Sequence, residues 1–237
     1  MTSEVGDRPL LVAETFGPTL QGEGPSCGRQ ALFVRLSRCN LSCPRCDTPY
    51  TWDWARFNIV TETRRLPALD VLRWVLGHST ELVVVTGGEP LLQQNLLAPL
   101  VTELAAAGRR VEVETNGTIA PTAALVAAVA GFTVSPKLAH FAAATDVGRR
   151  ICPDALRVLA GTGRAVFKFV ASSIADLDEI ADLQRRFDLQ PVWVMPEGTD
   201  TGWLLVVMRD LADEVVGRGW NLSTRLHVML WGDTRGR

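Results

Sequence analysis

Residues 31–52 read ALFVRLSRCNLSCPRCDTPYTW, an apolar run followed at once by three cysteines within eight positions. The apolar and β-branched residues from Ala31 to Ser37 predict a β-strand. Cys39, Cys43 and Cys46 then fall in the loop that leaves this strand, with the spacing C-x3-C-x2-C. The chain has five cysteines. An odd number with three clustered predicts a metal centre in a reducing compartment rather than a set of disulfides.

The spacing favours an iron–sulfur cluster over zinc. A structural zinc site uses four protein ligands, commonly from two separated pairs. Only Cys43 and Cys46 form such a pair here, and Cys27 and Cys152 stand alone. A cubane cluster accepts closely spaced thiolates, and three of them leave one iron open. A zinc site completed by Cys27, Cys152 or one of the three histidines is the alternative.

Composition and length favour one enzyme-sized domain. The 237 residues carry a net charge of -2, so there is no basic surplus for nucleic acid. The apolar stretches LVVV (82–85) and WLLVVM (203–208) are too short to cross a bilayer. The N-terminal MTSEVGDRPLLVAETFG lacks the long apolar core of a secretory signal. We therefore expect a single domain over residues 1–237, located in the cytoplasm, without a nucleic-acid or membrane partner.

Short strand patterns alternate with helical patterns along the chain, which predicts parallel βα units. The predicted strands are 31–37, 82–86, 110–114, 132–135, 166–170 and 192–195, with 225–230 as a candidate last strand. The predicted helices are 91–107, 121–130, 174–187 and 201–217. Pro121 stands where a proline suits the first turn of a helix.

Polar, glycine-containing segments follow these strands. They are the cysteine loop, TGGEP (86–90), TNGT (115–118), SPK (135–137) and MPEG (195–198). Carboxyl ends of parallel strands meet at one face of a sheet, where ligands bind. We therefore expect all of these segments to surround one site.

The motifs and their order resemble the 7-carboxy-7-deazaguanine synthase family of radical S-adenosylmethionine enzymes. C-x3-C-x2-C is the superfamily signature. The family resemblance rests on TLQGEG (19–24), FVRL (33–36), CNLSCPRCDTPYTW (39–52), TGGEP (86–90), ETNG (114–117), SPK (135–137) and MPEG (195–198), which together span most of the chain.

The resemblance implies a partial, open βα barrel of the α/β class. It implies an enzyme with a 4Fe–4S cluster, S-adenosylmethionine and Mg²⁺. The implied reaction is a radical ring contraction of 6-carboxy-5,6,7,8-tetrahydropterin to 7-carboxy-7-deazaguanine. Ammonia leaves, so the enzyme is a carbon–nitrogen lyase of 7-deazapurine (queuosine-type) biosynthesis. A homodimer and an electron donor of the flavodoxin or ferredoxin type are also implied.

The resemblance implies three sets of site residues, and none is assigned as catalytic. The metal ligands are Cys39, Cys43 and Cys46 for the cluster and Thr48 for magnesium. The cofactor-binding residues are Arg45, Cys46, Asp47, Gly88, Glu89, Asn116, Ser135, Pro136 and Lys137. The substrate-binding residues are Leu20, Gln21, Gly22, Arg35 and Thr86.

Elementary chemistry supports several of these roles, and each of these residues also has a purely structural alternative. A guanidinium can meet a pterin carboxylate with two parallel hydrogen bonds, although Arg35 on an outward pleat would only meet solvent. A hydroxyl is a hard oxygen ligand suited to Mg²⁺, although Thr48 would otherwise be a turn residue. Gly87 and Gly88 allow a backbone to approach a ligand closely, and Glu89 offers a carboxylate to the cofactor's ammonium; a plain turn is the alternative.

The roles of four further positions stay open at this point. Asn116 with Gly117 is either part of the site or only a βα turn. Arg45 stands where many superfamily members have an aromatic residue, and a guanidinium plane also stacks on a π system. Lys168 either contacts a ligand or ends its strand in solvent. His227 either helps to close the substrate pocket or belongs to a core strand at 225–230.

Two other functions remain open at this point. The same cysteine spacing occurs in small activating enzymes that generate a glycyl radical on a partner protein. A zinc-stabilised binding module without catalysis is the other.

Overall fold

One nine-stranded sheet runs through the chain in a computed structural model that describes residues 8–237. Residues 1–7 lie outside the described residues. They begin the N-terminal segment that the sequence analysis predicted not to be a secretory signal. The strands are β1 (Pro9–Leu20), β2 (Gln30–Leu36), β3 (Arg64–Pro67), β4 (Leu82–Gly87), β5 (Arg110–Thr115), β6 (Gly131–Val134), β7 (Ala165–Ala171), β8 (Val192–Pro196) and β9 (Asn221–Leu222). The helices are α1 (Ile59–Glu62), α2 (Ala68–Leu76), α3 (Gln94–Ala106), α4 (Ala123–Ala128), α5 (Pro153–Gly161), α6 (Ile174–Phe187), α7 (Thr201–Gly217) and α8 (Leu226–Trp231).

The sheet is mainly parallel and does not close. Its order is β3-β1-β2-β4-β5-β6-β7-β8-β9. Every neighbouring pair from β2 to β9 is parallel, whereas β1 is antiparallel to both β2 and β3. Because β3 and β9 remain at opposite edges, this is the predicted partial, open βα barrel.

The two faces of the sheet differ sharply in polarity. Successive strand side chains point to opposite faces, and one set packs against the helices; Leu32, Val83, Phe132 and Phe167 are all at most 1% exposed. The alternate positions carry polar groups on the other face. These are Arg35, Thr86, Glu112, Glu114, Thr133 and Lys168. The helix-facing side therefore supplies the core, and the opposite side can supply a site.

The predicted elements agree with the structure apart from their ends and one element type. Helices 174–187 and 201–217 have the predicted bounds. The predicted helix 91–107 begins as a 3₁₀ turn at Pro90–Gln93 before α3. Pro121 does not begin α4, because Thr122 is the N-cap and accepts a hydrogen bond from the amide of Leu125.

The candidate strand at 225–230 is wrong, because these residues form helix α8. Alternation in the short run RLHVML does not separate a strand from a single apolar helix face. In the structure the Leu226 amide donates to the carbonyl of Gly22 at 2.8 Å, and Gly232 ends the helix with a φ of 67°. No helix within residues 8–237 is long and apolar enough to cross a membrane.

Candidate active site

A cavity of about 750 Å³ lies at the carboxyl ends of the parallel strands. The cysteine loop and the segments that follow β4, β5, β6 and β8 all contribute to its wall, as the sequence predicts. The predicted site residues that line it are Leu20, Gln21, Gly22, Arg35, Cys39, Cys43, Arg45, Cys46, Asp47, Thr48, Thr86, Gly88, Asn116, Ser135 and Lys137. Glu89 and Pro136 are the predicted residues that do not line it.

The three cysteines of the signature face the cavity from one loop. Cys39, Cys43 and Cys46 pack with the apolar residues Leu41 and Phe141. Burial raises the pKa of the Cys39 thiol to about 12, so a metal must displace the proton for this side chain to bind as a thiolate. Apolar surroundings of this kind suit an iron–sulfur cluster, whose potential depends on burial and on hydrogen bonds to sulfur.

Two N–H groups already point at the Cys39 sulfur. The Leu41 amide lies 3.5 Å from Cys39 Sγ, and the side-chain nitrogen of Asn116 lies 3.8 Å from it. The same Asn116 nitrogen donates to Asn40 Oδ1 at 3.0 Å. Asn116 thus joins the turn after β5 to the cysteine loop, and its contact with a cofactor stays a prediction.

The donor set does not fit a single zinc ion. Within residues 8–237, no three His, Cys, Asp or Glu side chains lie close enough together to hold one metal ion. Cys27 and Cys152 do not line the cavity, and Cys27 Sγ instead donates to the Gly22 carbonyl at 3.3 Å. Three thiols with neither Cys27 nor Cys152 as a fourth ligand at the cavity fit a cluster with one open iron better than a closed tetrahedral zinc site.

Gly87 and Gly88 are required by the backbone of the cysteine loop. The Gly88 amide donates to the Leu36 carbonyl at 3.1 Å, and the Glu89 amide donates to the Arg38 carbonyl at 2.8 Å. A Cβ on Gly88 would lie 2.1 Å from the Arg38 carbonyl oxygen, and one on Gly87 would lie 2.2 Å from the Leu36 carbonyl oxygen. The glycine pair therefore lets two loops touch through their backbones.

Glu89 is fully buried behind the cavity wall. Its carboxylate accepts hydrogen bonds from the Leu91 amide (2.9 Å), the Asn116 amide (2.7 Å) and Thr115 Oγ1 (2.8 Å). Burial raises the pKa of Glu89 despite these donors. Its direct contact with a cofactor stays a prediction, as does that of buried Pro136; in this structure Glu89 ties β5 to the turn after β4.

The part of the cavity that holds Gln21, Arg35 and Thr86 is a polar floor. Arg35 points inward, and its Nε donates to Glu14 Oε1 at 2.8 Å. Thr86 Oγ1 donates to Glu114 Oε2 at 2.7 Å, and Gln21 Nε2 donates to the other oxygen of Glu114 at 2.9 Å. Arg35 therefore lies on the cavity pleat, not on the outward one that was its alternative.

A buried charge network crosses the cavity between these two sides. Glu23 accepts from Lys168 Nζ and from Arg225 Nε, the latter at 3.1 Å. Arg225 also donates to Asp47 Oδ2 and, at 2.9 Å, to the Gly198 carbonyl. The network thus connects the loop after β1, strand β7, the cysteine loop and the segment before α8.

Most of this network was not assigned by the sequence. Lys168 was left undecided between ligand and solvent, and the structure leaves it 5% exposed and facing the cavity. Strand alternation could have predicted that Lys168 faces the cavity, because its neighbours Phe167 and Phe169 occupy helix-facing positions. His227 also lines the cavity, from α8 rather than from a core strand.

Arg45 lies at the rim of the cavity. Its Nη1 donates to both carboxylate oxygens of Glu197, at 2.9 and 3.1 Å, and its side chain is 54% exposed. His140 is the second basic group beside Glu197, with Nε2 at 3.3 Å. The structure therefore places Arg45 within the cysteine loop at the cavity rim, and its stacking role stays a prediction.

Gly88→Ala is expected to displace the cysteine loop, because the new methyl group would overlap the Arg38 carbonyl. After anaerobic reconstitution, iron and sulfide per chain should fall several-fold relative to the parent protein. Gly148→Ala is the matched control, since a Cβ there meets nothing within 4 Å. Equal iron content in the Gly88 and Gly148 variants would contradict this account of the turn.

Glu23→Gln is expected to destabilise the fold by ~3–5 kcal/mol, because it leaves buried Lys168 without its carboxylate partner and leaves Arg225 with Asp47 alone. Burial raises the pKa of Glu23, but Lys168 and Arg225 outweigh burial and hold it well below its usual range. The stabilisation is therefore present above the ordinary glutamate pKa and is lost as the pH falls below it. Urea unfolding across this acid range should show a smaller pH dependence for the variant, whereas Glu81→Gln, at an exposed ion pair with Arg29, should match the parent.

Known proteins are similar to this chain in sequence and in fold. The family model of the Radical SAM superfamily matches residues 34–160. A 7-carboxy-7-deazaguanine synthase of Pyrobaculum aerophilum is 37% identical over 233 residues, which cover 96% of this chain and 97% of that protein. A 7-carboxy-7-deazaguanine synthase of Hyperthermus butylicus is 34% identical, covering 93% and 92%.

A solved structure agrees with the architecture. The crystal structure of QueE from Escherichia coli matches with a TM-score of 0.72 and 24% identity, over 92% of this chain and 95% of that one. At this identity the likeness shows the fold. None of these matches supports the glycyl-radical activase or the zinc module. The chain is a radical S-adenosylmethionine enzyme and belongs to the 7-carboxy-7-deazaguanine synthase family.

Proposed function

We propose that this chain converts 6-carboxy-5,6,7,8-tetrahydropterin to 7-carboxy-7-deazaguanine with release of ammonia, in 7-deazapurine biosynthesis of the queuosine type. The observation that carries the proposal is one cavity lined both by the three signature cysteines and by the family's substrate motif at Leu20–Gly22 with Arg35. A superfamily member with another substrate would need only the first of these.

We assign the cluster and the cofactor to the end of the cavity under the cysteine loop. Cys39, Cys43 and Cys46 would hold a 4Fe–4S cluster, which leaves one iron for S-adenosylmethionine. When bound, the two together supply a carbon-centred radical that removes a hydrogen atom from the substrate. Ser135 and Lys137 line the same region, and Lys137 Nζ donates to Ser135 Oγ at 3.1 Å. Arg45, Asp47, Gly88 and Asn116 complete the proposed cofactor wall.

Arg35 is the proposed partner of the substrate carboxylate. Glu14 accepts a hydrogen bond from Arg35 Nε. No hydrogen bond from Arg35 Nη1 or Nη2 occurs among the residues that the structure describes. Two terminal N–H groups facing the cavity suit a carboxylate, which a guanidinium binds with parallel hydrogen bonds. Thr86 and Gln21 would contact the ring beside Glu114, with which both already form hydrogen bonds.

Thr48 is the proposed magnesium ligand. Its hydroxyl lines the cavity and lies 3.6 Å from Cys46 Sγ, between the cluster end and the polar floor. Mg²⁺ is commonly held by one or two protein oxygens together with waters and substrate oxygens. A hydroxyl on this cavity wall fits that pattern, because the carboxylate of a bound carboxypterin would lie in the same cavity.

The family supports the remaining proposals. They are a homodimer, an electron donor of the flavodoxin or ferredoxin type, and a single domain over residues 1–237 whose strands β1 to β9 share one sheet. A cytoplasmic location is proposed from the unpaired thiols, which an oxygen-sensitive cluster requires.

Anaerobic enzyme with S-adenosylmethionine, Mg²⁺, a strong reductant and the carboxypterin is expected to form 7-carboxy-7-deazaguanine, detected by mass spectrometry. The cofactor should turn over without net consumption. Cys39→Ala, Cys43→Ala and Cys46→Ala should each abolish the product, whereas Cys152→Ala, outside the cavity, should retain it. Cofactor cleavage without ring contraction by the intact enzyme would refute the proposed function.

Thr48→Ala is expected to raise the Mg²⁺ concentration needed for half-maximal activity several-fold while iron content stays unchanged, since one oxygen ligand is lost. Thr48→Ser keeps the hydroxyl and should behave like the parent enzyme. Magnesium titrations of the three proteins provide the measurement. An unaltered magnesium dependence in the alanine variant would remove Thr48 from the metal site.

A further inference from the structure

Glu14 is a shared partner of groups from three other parts of the chain. It lies on β1 directly opposite Arg35 on β2. Its Oε1 accepts from Arg35 Nε at 2.8 Å and from the Tyr50 hydroxyl at 2.7 Å, while its Oε2 accepts from Arg235 Nε at 3.0 Å. One carboxylate therefore contacts the proposed substrate-binding arginine, the cysteine loop and the C-terminal segment.

Arg235 is held on several sides at once. Its Nη1 donates to Glu62 Oε2 at 2.8 Å, and its guanidinium carbon lies 3.8 Å from the centre of the Tyr50 ring. Stacking on an aromatic face and pairing with carboxylates are the geometries that distinguish arginine from lysine. The surrounding segment 233–237, which we call the tail, lines the cavity. Arg235 thus docks the tail against β1, α1 and the cysteine loop.

The charges of this group balance. Glu14 and Glu62 offset Arg35 and Arg235, and the two carboxylates are only 15% and 20% exposed. Burial raises the pKa of Glu14, but the Tyr50 hydrogen bond and the two arginines outweigh it and hold this pKa below its usual value. With both arginines in place, Glu14 is therefore an anion at neutral pH.

Arg35 depends on this arrangement for its direction. Its Nε is fixed by Glu14, and its guanidinium carbon lies 5.6 Å from the centre of the Phe16 ring. These contacts set the plane in which Nη1 and Nη2 face the cavity. Without Arg235, the other oxygen of Glu14 would lose its donor and the carboxylate could rotate.

We propose that Glu14 is a positioning residue for Arg35, and that Arg235 completes this position by docking the tail as the outer wall of the substrate pocket. The proposal rests on the proposed function in naming the carboxypterin as the substrate and Arg35 as its partner. Its structural part is that Glu14 holds the tail, which is measurable without substrate.

Tail docking is tested by trypsin cleavage of the bond between Arg235 and Gly236, followed by intact-mass spectrometry of the full chain. Arg235 must leave Glu14 and Glu62 to enter a protease site, so Glu14→Gln should accelerate this cleavage at least several-fold. Glu81→Gln is the matched control, because it releases the surface residue Arg29 instead. Equal cleavage rates in the Glu14 variant and the parent would overturn the docking role.

Positioning is tested by steady-state kinetics with the reconstituted enzyme. Arg235→Met should raise KM for the carboxypterin ~10-fold with kcat changed less than ~2-fold, because substrate binding is weakened before the chemical step. Arg235→Lys should restore part of the loss. Arg29→Met is the control, since Arg29 and Arg235 side chains are equally exposed at 45%.

A double-mutant cycle separates positioning from general damage. The Glu14→Gln and Arg235→Met effects on kcat/KM should be clearly less than additive, because both remove the same contact. Full additivity, or an unchanged KM in Arg235→Met, would overturn the proposal. If the parent enzyme makes no product while Glu14→Gln still speeds cleavage of the tail, the proposed function fails and tail docking stands.

Discussion

The backbone contact between the Gly87–Gly88 turn and the end of β2 is the constraint on which the site depends. It places the cysteine loop directly over the carboxyl ends of the parallel strands, with no side chain between the two loops. Two further hydrogen bonds support this contact. Glu89 accepts one from the Asn116 amide, and the Asn116 side chain donates another to Asn40 in the cysteine loop. A cluster bound to this loop would therefore share one support with the polar floor of the cavity.

The polar floor is stable because the opposite face of the same strands is apolar. Strands β2 and β4 to β8 each contribute helix-facing residues that are almost fully buried, so their alternate positions are free to carry charge. Those charges are paired with one another, for example Glu23 with Lys168 and Arg225. Buried ion pairs add little net stability, and their persistence here is consistent with a role in holding the site in one arrangement.

Sequence patterns predicted the parts of this enzyme that depend on local order. The strand at 31–37, the cysteine spacing and the glycine turn at 86–90 each define a short segment, and parallel topology then brings the segments to one face. The family resemblance implied seventeen site residues, and fifteen of them line the cavity. Strand alternation also contained the direction of Lys168, because Phe167 and Phe169 occupy the opposite face.

Contacts between distant segments escaped prediction for physical reasons. Arg225 meets Asp47 across 178 positions of sequence, and Arg235 meets Glu14 across 221; no periodicity encodes such pairs. The residues 225–230 were assigned to a strand because six residues cannot distinguish alternation from one helix face. The hydrogen bonds of buried Glu89 to the amides of Leu91 and Asn116 also join separate segments, and local sequence order did not predict them.

Mössbauer spectroscopy of the anaerobic protein tests the central claim most directly, that three cysteines hold a cubane with one open iron. The account predicts a 4Fe–4S spectrum in which one iron in four changes its parameters when S-adenosylmethionine is added. A spectrum that the cofactor leaves unchanged at every iron, or a colourless protein with one tightly bound zinc per chain, would contradict it.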